Sequence, residues 1–397
     1  MSIGSKIPAD LVDELRGELY TDLTTRLLYA TDASAYREVP IAVARPDGNE
    51  DVERLIRFAY KNNISLIPRT AETSLAGQVV GNGIVVDMSK HFTRILEINE
   101  AERYVWVQPG VVLDELNLFL ASRGLFFGPE TSTSNRCMIG GMVGNNACGA
   151  HSLIYGSTRD HLLAVKGYLS NGDPVVFEAT DEKAFFEKQK GDTLESNIYR
   201  NIHEILSDDD NRENILREFP DPAIKRRNTG YALDLLLQCK PYNPEGSHFN
   251  FSRLIAGSEG TLAFITEIKL NLVPLPPKVK GLSCIHFNTL EEALQANLIC
   301  LKYNPGAIEL MDNTILDCTK ANISQRKNRF FVQGEPGALL IVEFARNSIE
   351  EITQITREME SELRSSNLGY HFPLVTGGDI AKVWALRKSG LGVLFNI

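Results

Sequence analysis

No two cysteines of this chain stand in a CxxC spacing. The six, Cys137, Cys148, Cys239, Cys284, Cys300 and Cys318, are scattered and lack histidine-rich surroundings. That excludes a disulfide framework, or an iron–sulfur or zinc site built from them, and implies reduced thiols. The histidines, His286 and His371 among them, form no metal-ligand spacing, so no metal is expected. Long apolar runs are missing too. No window approaches the roughly 18 apolar residues of a membrane span, and MSIGSKIPADLVDELRGEL puts acidic residues where a secretory leader needs an apolar core. A cytoplasmic location is expected. Basic excess is absent: Lys and Arg total 41 against 51 Asp and Glu, for a net charge of -10. The one short basic cluster runs from Lys225 to Arg227, and nucleic acid is excluded as a partner. Neither a GKS or GKT phosphate loop nor the GxGxxG of a nicotinamide-binding unit occurs, which disfavours nicotinamide binding by that route.

What is present is ordinary globular composition, 43% hydrophobic and 23% charged over 397 residues, enough for two or three domains. NEDVERLIRFAYKNN (49–63) has Val52, Leu55, Ile56 and Ala59 at helical spacing after an acidic opening. Strand-like runs 41–46, 64–69 and 83–89 flank it, giving a small α/β unit with a loop at residues 70–82. RILEINEAERYVWVQPG predicts a hairpin turning at Asn99 to Glu102. In the helix after it, Val112, Leu113, Leu116 and Leu120 share a face and Gly124 is the stop. Asn171-Gly172 between apolar runs predicts a second hairpin. Residues 180–220 read as mostly helical, and strands follow up to a Pro-rich break at 274–277, where a domain boundary is expected. Beyond it, strand, helix and strand recur in a manner suited to a ferredoxin-like α/β layer. The apolar ending VWALRKSGLGVLFNI suggests a chain that continues further, with a buried final strand as the alternative.

Three short segments carry the chemistry. PETSTSNRCMIGGMVGNNACG (129–149) is rich in glycine, asparagine and small hydroxyls, which lets backbone approach a large, flat, polar ligand; an ordinary surface loop is the other reading. PRTAETSLAGQVVGNG (68–83) follows a strand and offers Thr70, Thr73 and Ser74, with successive N–H groups able to nest a diphosphate and Arg69 to add charge. GSEGTLAFITEIKL (257–270) brackets a turn with glycines ahead of a strand.

Taken in order, PRTAETSLAGQ, DMSKHFTRILEI, VQPGVVLDELN, IGGMVGNNACGAHSLIYGSTRDHLL and GSEGTLAFITEIKLNLVPLP resemble the FAD-linked oxidoreductases of the vanillyl-alcohol oxidase or p-cresol methylhydroxylase type. More narrowly the chain resembles their D-lactate, glycolate and D-2-hydroxyglutarate dehydrogenase branch. With RNTGYALD (227–234) and ALRKSGLG, it looks like the flavin part of the long bacterial members that add an iron–sulfur domain. The resemblance implies an α+β architecture: a two-subdomain FAD-binding fold over 1–275 (about 25–95 and 96–275), then part of a ferredoxin-like substrate domain over 278–397.

The same resemblance implies roles. Arg69, Thr70, Ala71, Glu72, Thr73 and Ser74 would cradle the FAD diphosphate. Thr133, Gly140, Gly141, Asn145 and Gly149 would line its flavin, ribityl and diphosphate side, and Glu259, Gly260 and Ile265 its adenine end. Covalent relatives carry histidine where Thr73 stands, so non-covalent FAD is expected. Relatives have glycine where this chain has Glu72; a carboxylate there repels a diphosphate unless it turns to solvent and lends only its N–H. Arg387 matches an arginine that holds the substrate carboxylate, a surface helical arginine being the alternative. His151 is left as structural, and the family's acid–base and metal-binding residues are expected beyond Ile397. The implied reaction is oxidation of a D-2-hydroxy acid to the 2-oxo acid, with electrons passing to an iron–sulfur partner or a quinone and the protein cytoplasmic or peripheral to the inner membrane. A flavin-holding subunit without turnover and a nicotinamide-fed flavin reductase are the rivals.

Overall fold

The computed structural model describes residues 11, 14–224, 226–227 and 230–394. Lys225 of the basic cluster, Asn228 and Thr229 of RNTGYALD, and the last three residues of the apolar ending lie outside them. By its contacts the chain divides into one unit of Met1–Gly149 with Tyr155–Pro274 and another of Ala150–Ile154 with Leu275–Ile397.

The first unit opens with a four-stranded sheet of β1 (Glu18–Tyr20), β2 (Ala42–Arg45), β3 (Leu66–Arg69) and β4 (Ile84–Asp87), in the order β1-β2-β4-β3. β2 and β3 run parallel to β4, and β1 is antiparallel to β2. Every residue of IVVD in β4 is buried, the unbroken apolar pattern of a covered parallel strand. Helix α1 (Asn49–Asn62) buries Val52, Leu55, Ile56 and Ala59 and ends on Asn63 in the left-handed conformation (φ 52°). The loop after β3 therefore leaves from the carboxyl end of parallel strands, where open α/β sheets present their ligand loops.

An antiparallel sheet follows, in the order β5-β6-β9-β7-β8, from β5 (Ile95–Asn99), β6 (Tyr104–Val107), β7 (Leu162–Tyr168), β8 (Pro174–Phe177) and β9 (Phe264–Asn271). Both expected hairpins form, β5–β6 and β7–β8, the second turning on Gly172 at φ 86°. β9 alternates buried and half-buried residues along its length, the period of two that a strand covered mainly on one face shows. Helix α2 covers Leu113–Ala121, starting later than the apolar spacing suggests because Val112 bridges Met138 instead. Helix α3 (Ile139–Asn145) is cut from the glycine-rich segment. Residues 180–220 hold helices Glu182–Lys188, Leu194–Ser207 and Asp209–Glu218, packed through Phe185, Tyr199, Phe249 and Phe251.

The second unit is a β-α-β-β-α-β layer: β10 (Val279–Phe287), α4 (Leu290–Cys300), β11 (Ala307–Asp312), β12 (Ala338–Arg346), α5 (Ile349–Ser365) and β13 (Leu374–Thr376). Its sheet order β11-β12-β10-β13, antiparallel throughout, is the ferredoxin-like arrangement. Ala293, Ala296, Ile352 and Met359 of α4 and α5 pack with Ile285, Leu340 and Val342 on one face. On the other, Leu282, Cys284, Leu339 and Ile341 meet Leu316, Val383 and Leu386. Val383 and Leu386 belong to α6 (Ile380–Leu394), so the apolar ending is helical as far as Leu394, where the sequence also offered a strand.

Candidate functional site

Three glycine-bearing segments of the first unit come together. The backbone N–H of Gly140 donates to the carbonyl of Pro109 at 2.8 Å, and a Cβ on Gly140 would stand 2.6 Å from the Pro109 Cβ. α3 is thus seated on the VQPG turn. A Cβ on Gly141 would lie 2.9 Å from Thr70 Oγ1, which brings the loop after β3 against the same helix. At the far end of α3, the N–H groups of Gly257 and Glu259 donate to the carbonyls of Val143 and Gly144, each at 2.9 Å. Gly260, at φ 77°, approaches Pro68 so closely that a Cβ would come within 2.6 Å of its Cγ. The loop, α3 and the 257–261 turn therefore meet through backbone and small side chains, which only glycine at these points permits.

Thr70, Ala71, Thr73 and Ser74 are half-buried along this junction and Gly141 is exposed. Thr133 lies in the turn leading into α3, its carbonyl accepting from Cys137 N at 2.8 Å and its hydroxyl 3.2 Å from that of Thr131. Asn145 is the last residue of α3, ahead of the left-handed Asn146. Gly149 passes so near Glu130 that a Cβ would stand 2.4 Å from its carbonyl oxygen. Ile265, on β9, is half-buried and faces Gly167 across the ladder. Short donors meeting glycine backbone at one junction suit a flat cofactor with a diphosphate, and the residues present fit FAD.

Two of the expected residues behave differently from the sequence reading. The Arg69 guanidinium is buried and donates to the carbonyls of Tyr29 (2.9 Å) and Thr31 (2.7 Å). From the root of the loop it thus braces the 29–31 segment. Glu72 adopts φ 54°, the left-handed region that glycine occupies freely, and its side chain forms an ion pair with Arg69. The carboxylate thus does not simply turn to solvent.

Sequence reasoning passed over several supports. Gln78 donates from Nε2 to Glu259 Oε1 at 3.2 Å, linking the loop to the 257–261 turn, while its own Oε1 is buried without a partner. Arg159 is buried beneath that turn; its guanidinium donates to the carbonyls of Arg253 (2.9 Å), Gly230 (2.8 Å) and Ala256 (2.5 Å). Its backbone N–H donates to Asn146 Oδ1 at 2.8 Å. Tyr231, from the RNTGYALD segment, lies 2.6 Å by its hydroxyl from that of Thr261. The charged TRDH among apolar neighbours was the one available signal for Arg159.

In the second unit, β12 carries Glu343, buried and met by His151 Nε2 (2.8 Å), Lys280 Nζ (3.0 Å) and Trp384 Nε1 (3.2 Å). Burial alone would push this carboxyl up, but the His151 and Lys280 contacts outweigh it and hold it below the ordinary carboxylate range. One turn along α6 from Trp384, Arg387 donates from Nε (2.8 Å) and Nη2 (2.6 Å) to a single oxygen of Glu309. His151 is thus tied to a buried carboxylate.

Among the described residues no group of three or more potential metal ligands is assembled, and no helix is long and apolar enough to cross a membrane. The FAD binding domain family matches residues 40–178, and the C-terminal domain of FAD linked oxidases matches residues 276–396. The D-2-hydroxyglutarate dehydrogenase of Haemophilus influenzae is 35% identical over 98% of this chain and 39% of its own length, so the chain spans about two fifths of that relative. The glycolate oxidase subunit GlcD of Bacillus subtilis is 27% identical over 82% of this chain and 58% of its own length. Among solved structures, an alkyldihydroxyacetonephosphate synthase shares the fold, with a TM-score of 0.64 at 18% identity over 98% of this chain and 65% of its own. The chain belongs to the FAD-linked oxidases, and FAD is its cofactor.

Proposed function

We propose that this chain is the flavin- and substrate-binding part of a dehydrogenase that oxidises a D-2-hydroxy acid of the 2-hydroxyglutarate, lactate or glycolate class to the 2-oxo acid. The observation that carries the reading is the meeting of the 69–78 loop, α3 and the 257–261 turn through glycines at Gly141 and Gly260. The names and identities of the relatives support the substrate class. In this reading the first unit is the FAD-binding domain and the second the substrate domain.

Thr70, Ala71, Thr73 and Ser74 hold the diphosphate through N–H and hydroxyl donors. Thr133, Gly140, Gly141, Asn145 and Gly149 line the flavin side, and Glu259, Gly260 and Ile265 the adenine end. Arg69 and Glu72 belong to the loop, Arg69 as its brace. Thr73 stands where a covalent link would need a nucleophilic imidazole, so FAD is held non-covalently. When bound, FAD would supply N5 as the acceptor for the hydride leaving the substrate Cα, with the hydroxyl proton going to a general base. Arg387 orients the substrate carboxylate: its contacts to Glu309 use the Nε–Nη2 edge, which fixes the plane of the fork. Electrons then pass to an iron–sulfur partner or a quinone, in the cytoplasm or at the face of the inner membrane.

The test is the visible spectrum of the FAD-loaded chain, without oxygen, before and after D-2-hydroxyglutarate or D-lactate. Bleaching of the flavin bands by one acid and not its L-enantiomer is expected. Bands that persist with every acid would sink the dehydrogenase reading for this chain and favour a flavin-holding piece, and bleaching by NADPH alone would favour the reductase.

A further inference from the structure

Resting on the placement of FAD in this cradle, we propose that Glu72 sets the chain's affinity for the cofactor: its carboxylate, held on the diphosphate loop by Arg69, opposes the diphosphate and makes FAD a loosely held, exchangeable ligand.

Three features fix the carboxylate in place. Glu72 stands at φ 54°, a conformation that costs a residue with a Cβ free energy and costs glycine none. Its carbonyl accepts from Ala33 N at 3.2 Å, so the backbone is anchored there. Its side chain pairs with the guanidinium of Arg69, which is itself buried at the end of β3. The acid group is therefore tied to the root of the loop and does not swing away as an unpaired surface side chain would.

Its cationic partner is Arg69, at the root of the loop. From Thr70 to Gly83 the loop contains no Lys, Arg or His. The one charged residue of the 257–261 turn is a second carboxylate, Glu259, which accepts from Gln78. Residues 69–83 and 257–261 together hold one arginine and two glutamates, +1 − 2 = −1. With Arg69 engaged by Glu72 and by the carbonyls of Tyr29 and Thr31, the anionic diphosphate depends on neutral donors beside segments whose formal charge is −1.

The experiment is a titration of flavin-free protein with FAD, followed by quenching of flavin fluorescence, on the native chain and on Glu72→Gln and Glu72→Gly. The glutamine variant keeps the size and the backbone and removes the charge. The glycine variant removes the charge and adopts φ 54° without strain. Both are expected to bind FAD about tenfold more tightly, which is about 1.4 kcal/mol. The gap between native chain and Glu72→Gln should close near 1 M salt, where the screening length is about 3 Å, a dependence that a purely structural role for Glu72 would not show. Equal affinity of all three proteins at low salt would overturn the proposal and leave the cradle standing. Failure of all three to bind FAD would overturn the cradle assignment and the proposal with it.

Discussion

At the scale of single residues, the cradle depends on what is missing from a side chain. Gly260 combines φ 77° with a Cβ position 2.6 Å from the ring of Pro68, so Gly260→Ala meets backbone strain and a stiff neighbour at once. We expect it to lower stability by about 1–3 kcal/mol, seen as a drop in Tm, and to weaken FAD binding as the turn moves off β3. A variant as stable as the native chain with unchanged FAD affinity would remove the turn from the site. The importance of these glycines was legible in the sequence, because clustered Gly, Ser and Thr have few other uses than close approach. The work of Arg69 was not. A loop arginine beside hydroxyls suggests a phosphate ligand, and only the carbonyls of Tyr29 and Thr31, distant in sequence, reveal that its charge is turned inward.

At the scale of elements, periodicity served well where local signals and packing agree. α1 forms over the expected stretch because its acidic opening, apolar stripe and left-handed Asn63 cap all favour one helix. α2 begins later than its stripe because Val112 is drawn into a bridge with Met138, a tertiary pairing that spacing cannot announce. The helices between 182 and 218 show the same dependence on distant partners: Phe185 is fully buried, with ring centroids 5.7 Å from Tyr199 and 4.7 Å from Phe249. Phe185→Ala removes the centre of that aromatic group. It should destabilise the first unit by about 3–5 kcal/mol, measured as a shift in the urea midpoint with an unchanged slope. A loss below about 1 kcal/mol would mean that the neighbouring rings collapse into the space.

At the scale of the whole chain, alternation of strands and helices disclosed a small α/β unit and a ferredoxin-like second layer, while the α+β class came from the family resemblance; the polar groups buried in that layer left no trace in the pattern. His286 is completely buried on β10. Its Nδ1 lies 2.9 Å from the Cys284 carbonyl and its Nε2 accepts from Gln333 N at 3.1 Å, so the ring is held neutral in one tautomer. Burial pushes its pKa down from 6.5 to about 4, with the Cys284 carbonyl opposing and His371 assisting. A folded pKa below the unfolded value means that the unfolded chain takes up the proton first. The stability this group contributes is then fully present above about pH 6.5 and is lost as the pH falls toward 4, by up to roughly 3 kcal/mol. Glu343 acts in the same direction at lower pH, since its depressed pKa makes protonation favour the unfolded chain. Urea unfolding of the second unit should therefore show a falling midpoint between pH 6.5 and 4. His286→Gln, which keeps hydrogen-bonding atoms without titrating in that range, should flatten the profile there; a profile with the same slope in both proteins would assign the acid sensitivity to other groups.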